Sequence, residues 1–298
     1  MLENELMNLA RNQEYEKIIN EYQGYAIASI AEVADFLRTK DVYKVTTLLY
    51  QHLLKHQDTT DFHYGIGQCY GKTYDYTTAL HHLEQAFNTN RSEGANYYAY
   101  ILERNFLMER ADEWYQKALQ NGYDNDLWTL SHYAYFLEKY NRLEAAEQVY
   151  NDVLTKNPAY TWAVKRYAFF LLKQNDSNRS VRVMQDALQK FPHNPFVKLN
   201  YLEYLIIRGM LEEYDEYSQS LGYDELVLPF QILIDLFDYF CYFLLQGKTN
   251  SERIELYEEK VKKYKDGIHR DFDDLTELLA YKNGNLVEWK RLINALLV

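Results

Sequence analysis

The sequence predicts an all-α, right-handed α-α superhelix built from repeated helical hairpins, with helical caps at both ends. Three observations predict it. The first is an internal match at a period of 34 residues. Leu130, Tyr133, Ala134, Leu137, Ala146, Tyr150, Val153 and Pro158 recur as Val164, Tyr167, Ala168, Leu171, Ser180, Met184, Ala187 and Pro192. A fixed period of that length marks helix-turn-helix arrays. The second is the spacing inside one period: Leu130, Tyr133, Ala134 and Leu137 fall on one helix face, and so do Ala146, Tyr150 and Val153. The third is punctuation. Only 4 prolines and 11 glycines occur in 298 residues, which suits long helices joined by short turns.

The period has a physical reason. Ala134 and Ala146 let the two helix backbones of a hairpin approach, where larger side chains would hold them apart. Pro158 cannot continue a helix, so it stops the second one. One hairpin cannot bury both its faces, and stacking neighbours makes the core continuous.

These residues resemble the tetratricopeptide repeat (TPR), which has a small residue in its first helix, an alanine early in the second, an aromatic four later and a closing proline. Ala134, Ala146, Tyr150 and Pro158 give one match, and Ala168, Ser180, Met184, Ala187 and Pro192 a second. Gly67 and Tyr70, followed by Ala79, Leu83 and Ala86, give a third. The resemblance covers about residues 27–228. Ser180 stands where alanine is usual, and Arg91 and Asn125 lie near where a proline would close earlier units.

Taken in order, residues 1–26 form an N-terminal helical cap with Leu6, Leu9, Ile18, Ile19 and Tyr22 as its apolar face. Tandem repeats occupy 27–228, with units at about 27–60, 60–93, 92–125, 127–160, 161–194 and 195–228. Gly122 ends a helix after Ala118 by taking positive φ. In the last unit Tyr214 sits where alanine is usual, so that hairpin is expected to splay. Residues 229–298 lose the pattern and read as a helical extension continuous with the repeats. An apolar helix over Phe230–Gln246 contains Gln231, Asp235 and Asp238. It reads as a buried helix rather than a membrane span. A charged helix from about Ser251 to Lys265 and two more at about 271–282 and 286–297 follow. Asp271, Asp273 and Asp274 open a helix where carboxylates suit the N-terminal dipole.

Composition bounds the function. A net charge of −12 argues against general phosphate-backbone binding. Cys69 and Cys241 have no metal-like spacing and read as buried free thiols in a reducing, cytoplasmic compartment. The opening MLENELMNLARNQ has no basic start followed by an apolar run, so no signal peptide is expected. The 30 tyrosines should pack their rings between helices with hydroxyls at an edge. The Asn, Lys, Tyr and Ile usage resembles that of an AT-rich bacterial or mobile-element genome. No nucleophile elbow, HExxH, Walker motif or cysteine–histidine cluster occurs, so neither catalysis nor a metal or cofactor is expected. His52 and His56 share a helix face without a third ligand.

The TPR resemblance implies that the first helix of each unit lines a concave groove. It places Tyr64 and Lys72 there, then Tyr100 and Arg104. Trp128, Tyr135 and Lys139 follow, then Trp162, Lys165, Phe169 and Lys173. Tyr100, Tyr135 and Phe169 hold one repeat position and form an aromatic ladder. Lys72, Arg104, Lys139 and Lys173 form a cationic row. Aromatic and cationic side chains together anchor and orient peptides, although the same rings serve packing between repeats. The expected role is a non-catalytic scaffold binding a peptide or partner protein. A peptide-sensing regulator of the Gram-positive TPR type, without a DNA-binding domain, is the first alternative, with Asn96 its one fitting groove asparagine. An RNA-binding helical repeat is the second. The apolar finish from Leu292 to Val298 offers a surface for self-association.

Overall fold

The computed structural model describes residues 2–88, 92–247, 251–264, 268 and 270–297. Met1, Arg91, Lys265 and Val298, named above, lie outside them. Among the described residues there are eighteen α-helices and no strand. The chain divides into two units. The first comprises Met1–Asn121, Tyr264–Arg270 and Ile293–Val298, and the second Gly122–Lys263 and Asp271–Leu292.

The first unit holds α1 (Leu2–Arg11), α2 (Tyr15–Glu21), α3 (Ile27–Arg38), α4 (Tyr43–His56), α5 (Thr60–Lys72), α6 (Tyr76–Phe87), α7 (Ala95–Arg104) and α8 (Met108–Ala118). Successive helices pair as hairpins, and each first helix also meets the next: α1 packs on α3, and α3 on α5. The small residues do what the period requires. A Cβ at Gly67 would lie 2.6 Å from Leu83 Cγ, so the backbones of α5 and α6 approach through it. α8 runs into a π-helical turn over Leu119–Tyr123, where Gly122 has a φ of 96°.

The second unit holds α9 (Leu127–Lys139), α10 (Leu143–Lys156), α11 (Thr161–Lys173), α12 (Ser177–Lys190), α13 (Pro195–Ile207), α14 (Leu211–Gln219), α15 (Leu228–Gln246), α16 (Ser251–Lys263), α17 (Asp273–Tyr281) and α18 (Leu286–Asn294). α11 touches α9 and α13, and α13 touches α15 and α17. Ser180, in the usual alanine position, donates to the Ala168 carbonyl at 2.7 Å and meets the Tyr204 hydroxyl at 3.0 Å. Tyr214 is buried, and its hydroxyl reaches Asp238 of α15 at 2.6 Å. α15 is long and apolar enough to cross a membrane by length and composition. Its Asp235, however, accepts from Tyr223 and Lys260, both at 2.6 Å, so its charges are engaged by protein. Leu292, Leu296 and Leu297 are buried within the chain. Cys69 and Cys241 are both free and buried.

One backbone device closes the hairpins. The residues Gln13, Asp41, Tyr74, Phe106, Asn141, Asn175 and Asn283 have φ between 55° and 65°, and Gly209 has 71°. In each case the next N–H returns to a carbonyl five residues back. Val42 reaches Leu37, Asp75 reaches Tyr70, Leu107 reaches Leu102, Arg142 reaches Leu137, Asp176 reaches Leu171 and Met210 reaches Leu205. Glu14 reaches Leu9 and Gly284 reaches Leu279, so α1–α2 and α17–α18 use the same closure. This is the left-handed helix ending that satisfies carbonyls otherwise orphaned.

The tyrosines follow a rule as well. From the second helix of three hairpins, Tyr50, Tyr115 and Tyr150 each donate to a first-helix carboxylate, on Asp35, Glu103 and Glu138 at 2.6, 3.0 and 3.0 Å. Burial pushes all three hydroxyls far above the usual tyrosine range, so they remain donors.

A left-handed conformation costs a non-glycine residue about 1–2 kcal/mol. Phe106 bears that conformation while 84% exposed, so little packing offsets it. Phe106→Gly should therefore stabilise the chain by up to about 1 kcal/mol. A urea titration should show a higher midpoint at unchanged slope.

Candidate functional site

The first-helix face of the second unit is built around Arg166. α11 is buried continuously from Ala163 to Leu171, so every side of it meets protein. Arg166 is 1% exposed. Its Nη2 donates to Asp271 Oδ2 at 2.8 Å and its Nη1 to Asp274 Oδ2. The guanidinium lies 3.9 Å from the Tyr135 ring centroid and 5.5 Å from that of Trp162. A desolvated guanidinium over aromatic faces gains cation–π stabilisation on top of its two charged hydrogen bonds. Burial opposes its charge, and the two aspartates outweigh that opposition.

Neighbouring cations share the arrangement. Lys165 Nζ donates to buried Glu203 at 3.0 Å and to the Asp271 carbonyl at 3.3 Å. Lys173 Nζ donates to Glu138 at 3.0 Å and stands 4.0 Å from Asp274 Oδ1. The acidic segment is fixed on its own side too. The Asp273 N–H donates to Asp271 Oδ1 at 2.9 Å. Phe272 and Leu275 are buried, with Phe272 edge-on to Trp289 at 5.7 Å. Trp289 Nε1 donates to Thr276 Oγ1 at 2.8 Å.

The residues singled out in the sequence are placed as follows. In the second unit, Tyr135 lies beneath Arg166, with Lys139, itself exposed, 4.5 Å from the same ring centroid. Trp128 and Trp162 flank His132, at 4.2 and 4.5 Å between centroids. Lys165 and Phe169 are buried, Phe169 stacking with Tyr204 at 6.1 Å. Lys165 lies 5.9 Å from the Phe169 ring centroid. These six side chains and Lys173 share one region, but Tyr135, Lys165 and Phe169 are buried against intramolecular partners. The residue missed is Arg166. The repeat register puts it two positions before the small Ala168, beside the groove rather than in it. The missed complement is the Asp271–Asp274 run, whose acidity matches the cationic row.

In the first unit, Tyr64, Lys72, Tyr100 and Arg104 are all half-buried. Asp35, Arg38, Gln68 and Tyr64 form a chain: Arg38 donates to Asp35 at 3.3 Å and to Gln68 at 2.8 Å, and Gln68 donates to the Tyr64 hydroxyl at 3.0 Å. Any Cβ at Gly94 would meet the Tyr64 ring within 2.5 Å, and Gly94 has a φ of 80°. Arg104 lies 4.7 Å from the Tyr76 ring centroid, and Tyr76 meets Tyr100 edge-on at 6.3 Å. Burial lowers the Lys72 pKa, against the field of Asp41.

A separate histidine cluster joins α5 to α6. His63 Nδ1 and His82 Nδ1 are 2.9 Å apart, and His63 Nε2 is 3.0 Å from Asp58. No group of three or more potential metal ligands occurs among the described residues.

No protein-family model matches the chain, and no curated protein matches it in sequence. Solved structures do share its fold. A tetratricopeptide repeat protein from Parabacteroides merdae matches with a TM-score of 0.53 at 12% identity, covering 91% of this chain and 99% of its own. Yeast Tom70 matches with a TM-score of 0.51 at 12% identity, covering 87% of this chain and 53% of its own. YrrB, described as a TPR protein with an unusual peptide-binding site, gives a TM-score of 0.45 at 17% identity, over 61% of this chain and 95% of its own. The chain is an all-α helical repeat array. Its fold is that of the tetratricopeptide repeat proteins.

Removing one partner from a buried ion pair costs about 3–5 kcal/mol, because the other charge is stranded. Arg166→Ala should loosen the acidic segment by an amount of that order. Hydrogen exchange should report it as faster exchange throughout α17, with α3–α6 unchanged. A second expectation concerns pH. Burial, followed by His63 and His81, pushes His82 down to about 4, against an ordinary value near 6.5. A depressed folded pKa contributes stability above the unfolded value and loses it as pH falls. Urea midpoints should therefore drop between pH ~6.5 and ~4, and His82→Gln should flatten that part of the profile.

Proposed function

We propose that this chain is a non-catalytic protein-interaction scaffold, holding a peptide or partner surface on the first-helix faces of its repeats. One observation carries the reading. The aromatic and cationic face around Arg166 holds the acidic segment that opens α17 through two carboxylates and a backbone carbonyl. That is how a repeat face recognises a peptide: charged hydrogen bonds fix orientation and aromatic rings supply desolvated contact. In the second unit this seat belongs to the chain's own residues 271–275. A partner therefore falls to the first unit, where Tyr64, Lys72, Tyr100 and Arg104 remain half-buried. The TPR fold supports the same role. The net charge of −12 weighs against nucleic acid, as does the engagement of Arg166 and Lys173 with carboxylates. The two free, buried thiols support a reducing compartment such as the cytoplasm.

Photo-crosslinking from position 104 in the organism that encodes the chain tests this role. The wild-type face should capture a discrete partner, and Lys72→Ala/Tyr100→Ala should lose it while circular dichroism stays unchanged. Capture that is indifferent to this pair of substitutions would remove the first-unit face from the function.

A further inference from the structure

Resting on the scaffold role proposed above, we infer that the first unit binds an acidic segment of a partner protein, with a carboxylate seated at Lys72. The second unit supplies the chemistry. There the cations Lys165, Arg166 and Lys173 are all engaged with carboxylates, and the segment that two of them hold by hydrogen bonds is acidic. Lys173 is the last residue of α11. The last residues of α5, α7 and α9 are Lys72, Arg104 and Lys139, cations at the corresponding position two before the left-handed residue, while Arg38, last in α3, stands three before it. A cation there suits the C-terminal end of the helix dipole, so its presence alone assigns nothing.

Lys72 differs from the others in its partners. Arg38 bonds Asp35 and Gln68, Arg104 and Lys139 lie over tyrosine rings, and Lys173 bonds Glu138. Lys72 has no hydrogen-bond acceptor and no carboxylate within 4.0 Å among the described residues, yet it is half-buried. Asp41, whose field acts on it, is engaged by the Tyr43 hydroxyl. A desolvated ammonium without a counter-charge is an unfavourable arrangement that a bound carboxylate corrects. Its surroundings are ordered in advance. Gln68 and Tyr64 lie one and two turns earlier on the same stripe of α5, held by Arg38 and by each other. A lysine is a compact charge without the planar fork of arginine, so it accepts an aspartate or glutamate in several orientations. The template in the second unit favours carboxylate over phosphate.

Fluorescence anisotropy with the full chain tests this. The probe is a labelled ten-residue peptide copying Arg270–Leu279, with a control in which its three aspartates are asparagines. The acidic peptide should bind, and the neutral one at least tenfold more weakly. Lys72→Glu should weaken binding at least tenfold, Lys72→Arg should largely restore it, and Lys173→Glu should leave it within about twofold. Raising the salt should weaken it. Equal binding of the neutral peptide would overturn the inference. So would indifference to Lys72→Glu, or displacement of the probe by single-stranded RNA at lower concentration than by unlabelled peptide. If the acidic peptide fails while crosslinked capture still requires the Lys72 and Tyr100 pair, the ligand class is wrong and the scaffold role stands. If both fail, so do both readings.

Discussion

A single buried guanidinium sets the organisation of the second unit. Arg166 is removed from water on a helix that is buried all round, and a desolvated charge must be neutralised where it lies. Asp271 and Asp274 do this from a segment more than a hundred residues later in the chain. Once they are bound, Phe272 and Leu275 follow into the core, and α17 is anchored beside α13. Replacing such a triad by apolar residues of like volume often loses no stability. What the charges supply is a defined register: Arg166 meets carboxylates at Asp271 and Asp274 and at no neighbouring position of that run.

Buried polarity is handled by repetition elsewhere. A tyrosine from the second helix of a hairpin donates to a carboxylate on the first in three hairpins. Each pair satisfies a hydroxyl and an anion that would each be costly alone. The rings fill the space between helices, and among the described residues no buried tyrosine hydroxyl lacks a partner. The left-handed closure of each hairpin works similarly on backbone carbonyls, so side-chain identity at that residue ranges from asparagine to phenylalanine.

The helical repeat array was legible because its signals are local. Ala134, Ala168 and the prolines at 158 and 192 are set by close approach and chain termination within one hairpin. Residues 271–298 were less legible for the same reason. The α17–α18 hairpin keeps the left-handed closure at Asn283, but its first helix lacks the small-residue signature. The site was legible in part. The register named the residues that surround Arg166, since a repeat position fixes a helix face. It could not show that an acidic segment 105 residues onward would lie against that face, because nothing local in Asp271–Asp274 distinguishes a docking segment from a helix N-terminus. Lys72 was named as one cation in a row. That no carboxylate among the described residues pairs with it is a property of its neighbours in space.

The first unit is not continuous in sequence. Tyr74 donates its hydroxyl to the carbonyl of Arg270, 196 positions later, and Ile268 bonds Leu296 in the same unit. Such distant contacts form late, after the entropy of closing a long loop has been met. During synthesis, residues 1–121 emerge long before the strand of chain that finishes their unit. Until then their unit is incomplete, and a partly assembled unit is the condition that recruits chaperones.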